Sequence, residues 1–109
     1  MEMNKYQEAA RSTAIYPNKG ENLIYPVLGL CGESGEVSEK LKKIIRDDKG
    51  IVSSEKKQDL KKELGDVLWY IANICSELNL TMEEVAECNI EKLASRKARN
   101  KLKGSGDDR

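Results

Sequence analysis

Residues 60–78 read LKKELGDVLWYIANICSEL. At about 100° per residue, Leu60, Leu64, Val67, Leu68, Ile71, Ile74, Cys75 and Leu78 fall on one helical face. Glu63, Asp66, Tyr70 and Asn73 form a second stripe beside it. An apolar stripe with a polar margin is the pattern of an amphipathic helix that buries one face. The stretch contains ELGDV (63–67), and residues 33–37 read ESGEV. Around that earlier copy Leu23, Val27, Leu30, Val37, Leu41, Ile44 and Ile45 share a face, and Glu33 and Glu36 lie at its margin. Residues three apart are neighbours on a helix surface. If the two helices pack antiparallel, their four carboxylates converge.

The rest of the chain also reads as helix between breakers, and no strand-like alternation stands out. A first helix is expected over residues 3–15, followed by the turn cluster YPNKGEN (16–22). A long second helix is expected from Leu23 to Asp47, with Pro26 in its first turn, where a missing N–H costs little. Ser53 or Ser54 suits the N-cap of a third helix that ends near Leu78. Thr81 and Glu84 form a capping box that opens a fourth, reaching roughly Arg99. The pattern is all-α. Residues 1–102 make one domain, and KGSGDDR (103–109) is a polar tail whose composition favours disorder over a flap.

Composition removes several function classes. Lys plus Arg is 19 and Asp plus Glu is 19, so the formal net charge is zero. That leaves no electrostatic case for nucleic acid or an anionic membrane as partner. Cys31, Cys75 and Cys88 are widely spaced and form no C-x-x-C, as expected of reduced thiols in a cytoplasm. The first residues hold no apolar stretch of the signal-peptide kind. Histidine is absent, which removes Ser-His-Asp and Cys-His catalysis and His-ligated metals. Any metal would sit among carboxylates, and oxygen ligands favour Mg²⁺ or Mn²⁺.

Each acidic pair alone also reads as the solvated face of a charged helix. Four convergent carboxylates without a counter-charge repel one another, and a divalent cation resolves that conflict. GESGEVSEKLKK followed by KKELGDVLWYIANI resembles the MazG-type all-α nucleoside triphosphate pyrophosphohydrolases, whose signature is E-x-x-E, a spacer, then E-x-x-D. The resemblance covers nearly the whole chain. It implies a MazG-like four-helix bundle completed by homodimerisation, or a dimer of dimers. It implies Mg²⁺, with Mn²⁺ as a substitute, held by Glu33, Glu36, Glu63 and Asp66. The implied reaction is hydrolysis of an NTP or dNTP to the monophosphate and pyrophosphate, in the cytoplasm. Some relatives carry a glutamate directly before the first E-x-x-E, where this chain has Gly32, and use it to activate water. Here metal-bound water could ionise with little help, or Glu36 or Glu39 could orient it in that catalytic role.

The resemblance also points to substrate-binding residues. Asn89, Lys92 and Arg96 lie along one face of the fourth helix and would reach the triphosphate. Their other reading is cations that complement the helix C-terminus. Tyr70 lies one turn beyond Asp66, and Asn18 and Lys19 sit in the YPNKG turn that contacts nucleotide in relatives. Trp69 points away from the main apolar face, as a subunit-interface residue or, second, a base-stacking one would. The rival to an enzyme is a non-enzymatic helical dimerisation or adaptor module whose acidic faces are merely solvated.

Overall fold

The computed structural model describes residues 1–109. Four helices follow one another: α1 (Met3–Ser12), α2 (Ile24–Asp47), α3 (Ser54–Glu77) and α4 (Met82–Ala98). Local chemistry sets most of their ends. The Ser53 hydroxyl accepts the Lys56 amide at 3.2 Å and starts α3. Thr81 and Glu84 form the reciprocal capping box of α4, at 3.1 and 2.6 Å. The side-chain cap of α2 comes from Asn22, whose Oδ1 accepts the Tyr25 amide at 3.1 Å. Pro26 occupies the first turn of α2 and is buried. The first helix stops at Ser12 rather than at the expected residue 15. Tyr16 precedes Pro17, which disfavours helical backbone at Tyr16, and Ala14 and Tyr16 are buried as the chain turns.

α2 and α3 pack as an antiparallel hairpin. Lys40 approaches Glu63, Glu33 lies with Asp66, and Tyr70 lies against Gly29, so numbers fall along α2 as they rise along α3. The Tyr70 ring occupies the space where any Cβ at position 29 would stand. α1 lies on the C-terminal half of α3, also antiparallel. Trp69 Nε1 donates to Thr13 Oγ1 at 2.8 Å, Arg11 to Asn73 at 3.0 Å and Gln7 to Ser76 at 3.1 Å. Trp69 packs here on Ala10, Ala72, Cys75 and Met82. It therefore serves the α1–α3 contact inside one chain, a use that spacing alone did not assign it. α4 is held chiefly at its start: Gln7 Oε1 and Asn4 Oδ1 accept the amides of Met82 and Glu83 at 2.8 and 3.2 Å. Two of the otherwise partnerless N–H groups of its first turn are satisfied by α1.

The chain is open for its size. Its radius of gyration is 16.8 Å, against about 13 Å for a compact domain of this length. Only 10 of 109 residues are buried. The cause is length: α1 has 10 residues and α3 has 24, or roughly 15 Å against 36 Å of axis. α1 covers Ala72 and Cys75, but Leu64 stays 56% and Leu68 39% exposed. On α2, Leu28, Leu41 and Ile45 are exposed as well. In the N-terminal half of the apolar face of α3, expected as core, Leu60 and Val67 are half-buried while Leu64 and Leu68 are exposed in a single chain.

A buried charge anchors the 16–22 turn. Glu77, at the end of α3, accepts from Arg11 at 2.6 Å, from the Tyr16 hydroxyl at 2.8 Å, and from the Gly20 and Asn22 amides at 2.8 Å each. Asn73, fully buried, receives the same arginine. Burial opposes the Glu77 charge, but the bonds from Asn22, Arg11, Tyr16 and Gly20 outweigh it and hold its carboxyl down at about 2.

A folded-state value below the ordinary 4.5 means that this network stabilises fully above that pH and is lost as pH falls through it toward about 2. Thermal melts should therefore hold their midpoint down to about pH 5 and then decline. Glu77→Gln, which strands Arg11, should cost about 3 kcal/mol at pH 7 and flatten that acid limb. A variant as stable as the parent at neutral pH would show that the network contributes nothing. The hairpin register yields a second expectation. Gly29→Ala should lose about 2 kcal/mol by overpacking against Tyr70. Gly32→Ala, whose Cβ would meet nothing within 4 Å, should gain roughly 0.5–1 kcal/mol as a helical alanine. Denaturant midpoints for the pair test the sign of each.

Candidate metal and nucleotide site

The hairpin register places three of the four signature carboxylates together. Glu33 of α2 and Glu63 and Asp66 of α3 each offer a carboxylate oxygen, and all three oxygens lie within 4.8 Å of one another. Glu33 and Glu63 are half-buried and Asp66 is exposed. Lys40 Nζ, 3.6 Å from Glu63, is the cation that approaches them. One half-exposed lysine does not balance three carboxylates. The imbalance registers on Glu33, whose carboxyl is pushed up by burial and then by the Asp66 and Glu63 charges. Oxygen-only donors with an excess of negative charge are what a hard divalent cation requires, so these residues fit such an ion.

An open cavity of about 280 Å³ lies beside the carboxylates, lined by Glu33, Asp66, Trp69 and Tyr70. Trp69 and Tyr70 meet edge to face with centroids 5.0 Å apart. Burial, then the neighbouring Tyr25, Glu33 and Asp66, push the Tyr70 phenol up. Tyr6 of α1 also feels Asp66, after burial, and is raised in the same sense. Two aromatic walls against a carboxylate floor can hold a planar base or a sugar above a bound cation.

The remaining expected residues are placed apart from that cavity. Glu36 is exposed and stands outside the group of three, although its charge reaches Glu33. Glu39 pairs with Lys42 at 3.0 Å, and this partner lowers its carboxyl. A carboxylate already bonded to a lysine is a poorer proton acceptor than a free one. Asn18 adopts left-handed backbone (φ 55°) in its turn, a conformation asparagine tolerates well. Lys19 lines a separate polar depression with Asn4, Gln7, Arg11 and Ser12. Asn89 and Lys92 line another, with Leu80, Glu84, Val85 and Cys88. Arg96 is buried under residues 100–109, which fold back as a loop on α4, contrary to the disorder expected from their composition. Within one chain, only Tyr70 of the six expected substrate contacts shares the carboxylate cavity.

Sequence reasoning missed Tyr6, Arg11, Tyr16 and Glu77. A signal for Glu77 was present. The polar stripe 63, 66, 70, 73 continues at helical spacing to residue 77. Arg11, Tyr16 and Tyr6 carry no such local signal, because their partners lie more than 50 residues away or across a turn.

The comparison with known proteins agrees with this geometry. The sequence pattern of the MazG nucleotide pyrophosphohydrolase domain matches residues 25–100, which include both acidic pairs, Tyr70 and the α4 residues Asn89, Lys92 and Arg96. The Gene 37 protein of Mycobacterium phage L5 is 46% identical over 114 aligned residues that span the whole of both chains. Its name states no activity. No solved structure matches. An all-helical chain with converging acidic pairs, matched by that pattern over most of its length, belongs to the MazG nucleotide pyrophosphohydrolase family.

Proposed function

We propose that the chain hydrolyses a nucleoside or deoxynucleoside triphosphate to the monophosphate and pyrophosphate, with water attacking across the α–β phosphoanhydride. The observation that carries this reading is the uncompensated group Glu33, Glu63 and Asp66, with oxygens within 4.8 Å, in a chain of this family. These three, with Glu36 at their edge, would hold Mg²⁺ or Mn²⁺. Such a cation supplies charge neutralisation and polarises a phosphoryl oxygen. The chain's own contribution is positional. Glu33 and Glu63 are oriented by the helices they stand on, and Tyr70 and Trp69 wall the cavity in which a nucleoside can lie. Of the two candidate catalytic glutamates, Glu36 is better placed, because Glu39 is bonded to Lys42.

The bare faces of α2 and α3 support a homodimer or a dimer of dimers. Burial of Leu28, Leu41, Ile45, Leu64 and Leu68 would recover the core that α1 is too short to supply. The α4 residues Asn89, Lys92 and Arg96 line no part of the carboxylate cavity of their own chain, so a second copy is the natural source of phosphate-binding cations. No helix is long and apolar enough to cross a membrane, and we place the activity in the cytoplasm, acting on the nucleotide pool. Exposed apolar surface would serve an adaptor module equally well. The carboxylates separate the two readings.

Activity should require a divalent cation and release pyrophosphate in one step. Mg²⁺ should also raise the melting temperature, as any ligand of the native state must. Glu33→Gln and Asp66→Asn should cost about 100-fold or more in turnover. They should melt no lower than the parent without metal, because each relieves like-charge repulsion. Glu39→Gln should stay within about two-fold, as an exposed ion pair is worth little. Orthophosphate as the first product, or no response to Mg²⁺ in either assay, would sink the assignment. Light scattering at micromolar concentration tests the assembly: at least a dimer is expected, and a fully active monomer would refute it.

A further inference from the structure

Residues 100–109 close into a loop on α4. Asn100 takes left-handed backbone (φ 57°), and the Lys101 amide donates to the Arg96 carbonyl at 2.7 Å. Gly104 (φ 123°) and Gly106 (φ 89°) turn the chain where side-chain-bearing residues would be strained. The Arg109 guanidinium ties the loop by donating to the carbonyls of Lys101, Leu102 and Gly106, and Arg99 donates to the Arg109 carbonyl at 2.7 Å. This path delivers Asp107 to the α4 cations. Lys92 Nζ lies 3.3 Å from Asp107 Oδ1. Arg96 Nη2 donates to the Asp107 carbonyl at 2.5 Å and stands 3.6 Å from its carboxylate. Arg96 is 5% exposed, and its Nε has no partner.

A buried guanidinium with an idle donor is a costly arrangement that the packing does not explain. Guanidinium presents its donors as a planar fork suited to a phosphate's several oxygens. Asp107 meets that fork incompletely, with one carbonyl and one distant carboxylate oxygen. We propose that Asp107, seated on Lys92 and Arg96, is an intramolecular competitor for the phosphoryl group these cations would bind, and that the substrate must displace it. This rests on reading the chain as a triphosphate hydrolase. The competitor is weak, since the Asp107 carboxylate is largely exposed and such pairs are screened.

The test uses the full chain and two variants: Asp107→Asn, which removes the competing charge, and Gly104→Val with Gly106→Val, which unseats the loop at its positive-φ positions. The probe is inorganic pyrophosphate without divalent metal, followed by calorimetry, alongside KM for nucleoside triphosphate with Mg²⁺. Asp107→Asn should bind pyrophosphate about two- to five-fold more tightly. The glycine pair, which also frees Arg96 from the carbonyl, should gain about ten-fold. KM should fall in parallel, and adding Lys92→Ala to Asp107→Asn should abolish the gain. Unchanged or weaker pyrophosphate binding in both variants, with turnover intact, would overturn the strap and leave the hydrolase reading standing. Tightened pyrophosphate binding in a chain that hydrolyses no nucleotide would support the anion site and its competitor, and overturn that reading instead.

Discussion

The packing of Tyr70 on Gly29 sets the register on which everything else in this chain depends. A ring that fills the place of a Cβ can sit only at a glycine, so a slip that brought Leu28 or Leu30 to that place would clash. With that register held, Glu33 falls beside Glu63 and Asp66, and the cavity opens next to the same tyrosine. Shifting the hairpin by one turn would move the carboxylates of α2 about 5.4 Å along the axis and break up their convergence. The acidic group is a strain on the isolated chain, because like charges in a half-buried setting oppose one another, as the raised Glu33 carboxyl records. Packing therefore assembles a group that electrostatics alone would disperse.

A second carboxylate is treated in the opposite way. Glu77 is buried, yet arginine, tyrosine and two backbone amides surround it, so its charge is satisfied and its carboxyl is held low. The contrast is between two kinds of acidic environment within one helix. Glu77 ties α1, the 16–22 turn and the end of α3 into one unit, while Glu63 and Asp66, four and three turns earlier, are left with one lysine between them. Fully satisfied buried networks rigidify.

The openness of the chain follows from the same economy of length. α1 is too short to cover both halves of α3, and α4 is tied mainly to α1. Apolar residues on α2 and the first half of α3 are consequently left to water. The cations of α4 are turned to their own C-terminal loop rather than to the carboxylates. A single chain leaves part of its apolar surface uncovered and keeps the α4 cations away from the carboxylates, the two observations on which the proposed dimer rests.

Much of this was legible in the sequence. Helix periodicity, the Ser53 cap, the Thr81–Glu84 capping box and the position of Pro26 are local properties, so the four helices and most of their ends could be read from spacing alone. The paired E-x-x-E and E-x-x-D named the acidic residues, because i and i+3 positions share a helix surface whatever the helix packs on. Tertiary structure decided the rest. Periodicity shows that a face is apolar but not what covers it, and only the short reach of α1 separates buried Cys75 from exposed Leu64 on one stripe. Spacing could not show that Trp69 turns toward Thr13, nor that Glu36 stands aside while its three companions meet. Nor could it show that Asp107 closes on Lys92 and Arg96. Each of these depends on contacts between residues far apart in the chain, or on a turn whose path composition does not specify.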